Sequence, residues 1–134
     1  MGDRAQVFVR SYGESDASQK GVWLYTHNGG YALAETVQAA LQRRLRWDDR
    51  EYLARIVFQQ MLGKDTGEYG YGIGDGVHGD IEHPVLILDC SNKRIGFWST
   101  SNTDPASAQW VPFAQFVEMT KAQVARLYGD EGES

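Results

Sequence analysis

The stretch Tyr25-Thr26-His27-Asn28-Gly29-Gly30 gathers the residue types best suited to hold a small anion. An apolar run, Val22-Trp23-Leu24, precedes it, and a helix-like segment begins near Tyr31. A strand should therefore run into a glycine bend and then a helix start. Unpaired backbone N–H groups and the positive end of the helix dipole collect there, and both attract phosphate or carboxylate. Thr26, His27 and Asn28 would add side-chain contacts, and Gly29 and Gly30 backbone donors. The alternative is a tight strand-to-helix turn in which His27 packs beside Trp23 or caps the helix.

Two further groups point at the same ligand class. Arg43, Arg44, Arg46, Arg50 and Arg55 surround the junction of two predicted helices, and a guanidinium fork suits phosphate oxygens. Arg55 stands among apolar neighbours and is expected to be partly buried and aimed at the ligand. The competing account is a solvated helix face with local pairs such as Glu51 to Arg55. The glycine-rich run from Gly70 to Gly79 reads as a flexible lid, whose Tyr69 and Tyr71 rings would stack on a base or pack on the sheet. Its formal G-x-G-x-x-G at Gly74, Gly76 and Gly79 precedes no helix, so it is no dinucleotide fingerprint.

Other chemistries fit less well. Asp75, His78, Asp80, Glu82 and His83 show neither zinc-site nor calcium-loop spacing, so no metal or cofactor is assigned. A small phosphodiesterase would use His27 with His78 or His83 as acid and base. Neither G-x-S-x-G nor a P-loop supports it, and no catalytic residue is assigned beyond His27 in that alternative. Cys90, at the end of an apolar run, is expected to be a small buried hydrophobe.

The elements that must position these residues follow from periodicity. Residues 6–10 and 22–26 read as strands, with Trp23, Tyr25 and His27 on one face and Val22, Leu24 and Thr26 on the other. Leu33, Val37 and Leu41 recur every four positions and predict a helix over 31–44. Asp48 as cap, Glu51 as capping-box partner and a Trp47–Tyr52 staple predict a second helix ending at Gly63. A ragged strand around 69–73, strands at 85–89 and 94–99, and a helix from Pro112 to Gly129 complete the chain. The fold class is α+β, a single mostly antiparallel sheet with three helices in the order β-β-α-α-β-β-β-α. Residues 1–129 form one domain and 130–134 an acidic disordered tail.

The charge is −5, and Asp130, Glu131 and Glu133 supply −3 of it, leaving about −2 on the body; duplex nucleic acid is not an expected partner. One cysteine allows no intrachain disulfide, no apolar run approaches the ~20 residues of a membrane span, and the N-terminus has no signal-peptide pattern. A cytoplasmic location is expected. Trp23, Trp98 and Trp110 either join the core or, on a sheet face exposing Trp23 or Trp98, make a homo-oligomer contact.

Several stretches taken together resemble a group of small uncharacterised proteins of bacteria and their phages. These are Leu24-Tyr25-Thr26-His27-Asn28-Gly29-Gly30, Tyr52 to Phe58, Gly70-Tyr71-Gly72-Ile73 and His83-Pro84, covering roughly residues 20–90. Members usually carry Trp where this chain has Asn28. The resemblance brings no established activity with it; the phage setting suggests capture of a host immune signalling nucleotide. The expectation is a non-catalytic binder of a small phosphorylated or nucleotide-like ligand. A hydrolase and a protein-binding inhibitor module are the alternatives.

Overall fold

Six consecutive residues, Ala5–Arg10, are all buried, which only the middle of a sheet covered on both faces allows. A computed structural model describes residues 3–11, 15–65, 67 and 69–129. It places that segment, β1, beside β2 (Val22–Thr26) and β4 (Val85–Asp89). With β3 (Tyr71–Gly74), β5 (Arg94–Trp98) and β6 (Gln109–Pro112) the sheet runs β3-β2-β1-β4-β5-β6. β1 and β4 are parallel and every other neighbouring pair is antiparallel. The class is α+β, as expected, but the sheet is mixed and has a sixth strand where a loop and helix start were predicted.

All helices pack on one face. α1 (Leu33–Gln42) and α2 (Arg50–Leu62) lie against each other, and α3 (Phe113–Phe116) and α4 (Lys121–Tyr128) follow β6. Val7, Val9, Leu24, Leu86, Leu88, Ile95 and Phe97 meet Val37, Leu41, Leu53, Val57, Phe113 and Phe116 in one apolar core. Asp49, not Asp48, caps α2 by accepting from the Tyr52 N–H. Trp47 turns inward against Phe113 (ring centroids 5.5 Å), while Tyr52 stays exposed, so the predicted staple does not form.

The single last helix of the sequence reading is in fact two. Thr120 starts α4 with a reciprocal capping box to Gln123. Carbonyls freed by the break accept from α1: Gln38 reaches Phe116 and Met119, both at 2.9 Å, and Gln42 reaches Val117 at 3.0 Å. Side chains from one helix thus replace the bonds that a continuous helix would have made.

The face opposite the helices is covered by loops, and this overturns the expected oligomer contact there. Trp23 is fully buried and Trp98 nearly so, packed with Phe8, Val85 and Ile87. The Trp23 indole donates to the Gln19 carbonyl and the Trp98 indole to that of Asn102, each from its own covering loop. A buried ion cluster closes the same face. Asp89 accepts from Arg94 (Nε, 3.0 Å), Asn92 (3.0 Å) and the buried Arg10 (3.4 Å). Trp110 lies under both guanidiniums, and Gly96 makes room for it, since a Cβ there would fall 2.8 Å from its ring. Burial pushes the Asp89 carboxyl up; the hydrogen bonds from Asn92 and Arg94 and the charges of Arg10 and Arg94 outweigh this and hold it below its ordinary value. No helix among the described residues is long and apolar enough to cross a membrane. The predicted acidic tail lies outside the described residues.

Candidate functional site

β2 ends at Thr26, and the period of a strand decides where its neighbours go. Thr26 faces the helices with Leu24, whereas Tyr25 and His27 face the loop-covered side. The motif residues are therefore divided between the two sides of the sheet.

On the helix side lies a groove of about 330 Å³, lined by Thr26, Asn28, Gly29, Tyr31, Leu33, Thr36, Met61 and Tyr71 among others. A second hollow of about 270 Å³ shares Thr26, Asn28 and Tyr71 and adds Asp65, Tyr69 and Gly70. The first lies near the lower end of small-molecule sites, roughly 300–1,000 Å³. Tyr31 is 70% exposed and Tyr69 85% exposed, so both rings are open to solvent beside the groove. Of the predicted ligand residues, the structure brings together Thr26, Asn28, Gly29, Tyr69 and Tyr71. Tyr31, Met61 and Thr36 are among the further lining residues. Spacing pointed to none of them, although Tyr31 directly follows the bend and Met61 occupies the last turn of α2.

The bend itself offers fewer donors than expected. Gly29 N–H donates to Thr26 Oγ1 (3.0 Å), Gly30 N–H to the Asp3 carbonyl (2.8 Å) and Tyr31 N–H to the Asp3 carboxylate (2.7 Å). Asp3 thus supplies the anion that the helix start attracts, from within the chain. Its other carboxylate oxygen bonds His83 Nε2 at 2.5 Å, and His83 stacks on Tyr128, whose hydroxyl donates to the Gly30 carbonyl. Gly30 is buried in this knot; a Cβ there would sit 2.5 Å from the Asp3 carbonyl oxygen. Gly30 is therefore held by contacts within the chain and lines neither hollow.

His27 and Arg55 also depart from expectation. His27 Nδ1 hydrogen-bonds the Tyr25 hydroxyl (3.1 Å) on the opposite side of the sheet. His78 stacks on Tyr25 there at 4.9 Å. The loop that carries His78 is clamped by Gln6, whose amide donates to the Gly76 carbonyl and accepts from the His78 N–H. The glycine-rich run is thus a strand followed by a clamped loop in place of a free lid. Arg55 is exposed and lines neither hollow, because Leu53, Ile56 and Val57 take the inward face of α2.

The chemistry of the groove follows from what lines it. It holds hydroxyls, one carboxamide, one carboxylate, aromatic rings and a thioether, with no lysine or arginine among its described lining residues. Its rings offer stacking faces and its polar groups hydrogen bonds, while its described lining offers no countercharge for a phosphate. No group of three or more metal-ligating side chains occurs among the described residues. Cys90 is buried, and its thiol is pushed up to about 12 by burial first and then by Asp89, Asp49 and Asp48, which makes it a poor nucleophile at neutral pH. No family model matches the chain, and neither a curated protein nor a solved structure is significantly similar to it.

Proposed function

We propose that this protein is a non-catalytic binding protein for a small nucleotide-like molecule, held mainly through its base in the groove between the β2–α1 bend, β3 and the end of α2. The observation that carries the reading is that Asn28 and Tyr71 line both of two hollows that share a wall, one of which adds Tyr31 and the other Tyr69. Aromatic rings stack on any base at roughly 1–3 kcal/mol each, and a carboxamide can read a base edge. The phosphate part of the original expectation changes place. With Asp3 bonded to the Tyr31 N–H and no cation among the described lining residues, the phosphates would lie outward in solvent. Met61 and Leu33 would back the ring from the core side. In the phage or bacterial setting that the motif resemblance implies, such a binder would serve as a sponge for a signalling nucleotide.

Thermal unfolding against nucleosides, nucleotides and cyclic dinucleotides tests this. A ligand at ~100 times its dissociation constant adds ~2.7 kcal/mol, a rise of several degrees. Tyr71→Ala should weaken that shift while the variant still folds. Ligand recovered unchanged after denaturation marks capture. New products would instead assign catalysis, and a panel without any shift would overturn the groove as a nucleotide site.

A further inference from the structure

β3 forms one outer edge of the sheet. Its pairing with β2 matches Tyr25 to Gly72 and Thr26 to Tyr71, and Gly70 accepts from the His27 N–H at 2.8 Å. In an antiparallel ladder bonded and non-bonded positions alternate. Gly70, Gly72 and Gly74 therefore turn their polar groups toward β2, and Tyr71 and Ile73 turn theirs outward. Natural sheets blunt such an edge with shortness, charge, proline, a bulge or a cover. Of shortness, charge and proline, β3 has only the first, at four residues. The opposite edge, β6, carries Pro112. β3 reads Tyr-Gly-Ile-Gly and carries neither charge nor proline. Ile73 is 69% exposed, and a Cβ built on Gly72 or Gly74 would meet nothing within 4 Å.

We propose that a second copy of this chain pairs antiparallel with β3 across a two-fold axis through Gly72. The choice of a second copy over a foreign strand rests on self-complementarity. In this register Tyr71 stands opposite Ile73 of the partner subunit, and Ile73 opposite the partner's Tyr71. Both pairs use the outward-facing groups, so each exchanges two backbone hydrogen bonds, four in all. Tyr71 and Ile73 share the helix side of the sheet with Thr26 and Leu24, so each ring meets a β-branched side chain across the seam. Gly70 and Gly74 then oppose each other without side chains. The two sheets become one continuous sheet with all helices on the same side. Since Tyr71 also lines the groove, Ile73 of the partner subunit extends the groove's apolar wall. This pairing needs no ligand and stands apart from the proposed function.

Sedimentation of the full chain across a wide range of protein concentration, with amide exchange of the same samples, tests it. The expected result is a dimer that dissociates on dilution, with the Tyr71 and Ile73 amides protected only in the dimer. Ile73→Lys should be monomeric at every concentration. Ile73→Pro should be too, because it deletes an outward N–H and leaves the groups facing β2 in place. The wild-type exchange pattern keeps the inference testable should either variant fold poorly. A monomer throughout overturns it, as does a dimer in which these two amides exchange freely or which Ile73→Lys leaves intact.

Discussion

Replacing Asp89 by alanine tests the ion cluster that closes the loop-covered face. The substitution removes the acceptor of Arg94 Nε and Asn92, both at 3.0 Å, and the counter-charge 3.4 Å from Arg10. Arg10 has a side chain only 2% exposed, so its charge stays buried. Removing one partner of a buried pair costs about 3–5 kcal/mol. Arg10 keeps the Asp16 and Ser18 carbonyls, at 2.8 and 3.1 Å, and a distant Asp16 carboxylate at 3.8 Å. The loss should therefore fall near the lower limit, about 3 kcal/mol. At ~4 °C per kcal/mol for a domain of this size, that is a fall in Tm of ~12 °C. Urea unfolding at neutral pH gives the free energy directly. The pH dependence supplies a second readout. The folded Asp89 carboxyl titrates below its unfolded value, so its stabilisation is fully present above about pH 4 and is lost as pH falls through the folded value. The gap between wild type and variant should close in acid. A loss below ~1 kcal/mol at neutral pH, or a gap that widens in acid, would refute the reasoning.

Three further outcomes are expected. Gly30→Ala should lower stability by about 1–3 kcal/mol in urea unfolding, because its Cβ would fall 2.5 Å from the Asp3 carbonyl oxygen and 2.7 Å from the His83 ring. The Cys90 thiol should resist alkylation in the folded protein and react once denaturant is added, since it is buried and titrates at about 12. Arg55→Ala should leave the affinity for any nucleotide-like ligand within about twofold, whereas Tyr71→Ala should cost roughly 5- to 150-fold, measured by calorimetry.

Much of the fold was legible because its signals are local. β-Branched and aromatic residues marked β1, a continuous apolar run marked β4, and four-residue spacing marked α1. What was missed depends on partners far along the chain or on signals read too loosely. β6 spans only four residues and ends in Pro112, which as readily marks a helix start. The Thr120–Gln123 capping box marks a helix start, but the apolar residues Phe116, Val117, Val124 and Leu127 continue on both sides of it and mask the break. Whether Trp23 joins the core or an exposed face stayed open, because nothing in a strand's period tells whether a loop will cover its second face. At the site, two misplacements were avoidable. Adjacent strand residues face opposite sides, so Thr26 and His27 could not both serve one pocket. On a helix Arg55 lies about 200° round from Leu53, which turns it away from the core. The role of Asp3 was not legible at all, because 28 positions separate it from the Tyr31 N–H that it binds.

The most direct test compares a nucleoside with its own nucleotide by titration calorimetry, once a base that shifts the melting temperature is known. A groove that stacks the base and offers phosphate no cation predicts affinities within a few-fold of each other and little dependence on salt. Binding that appears only with the phosphate, falls steeply with salt and vanishes in Arg55→Ala would contradict the account and return the ligand to an anion site.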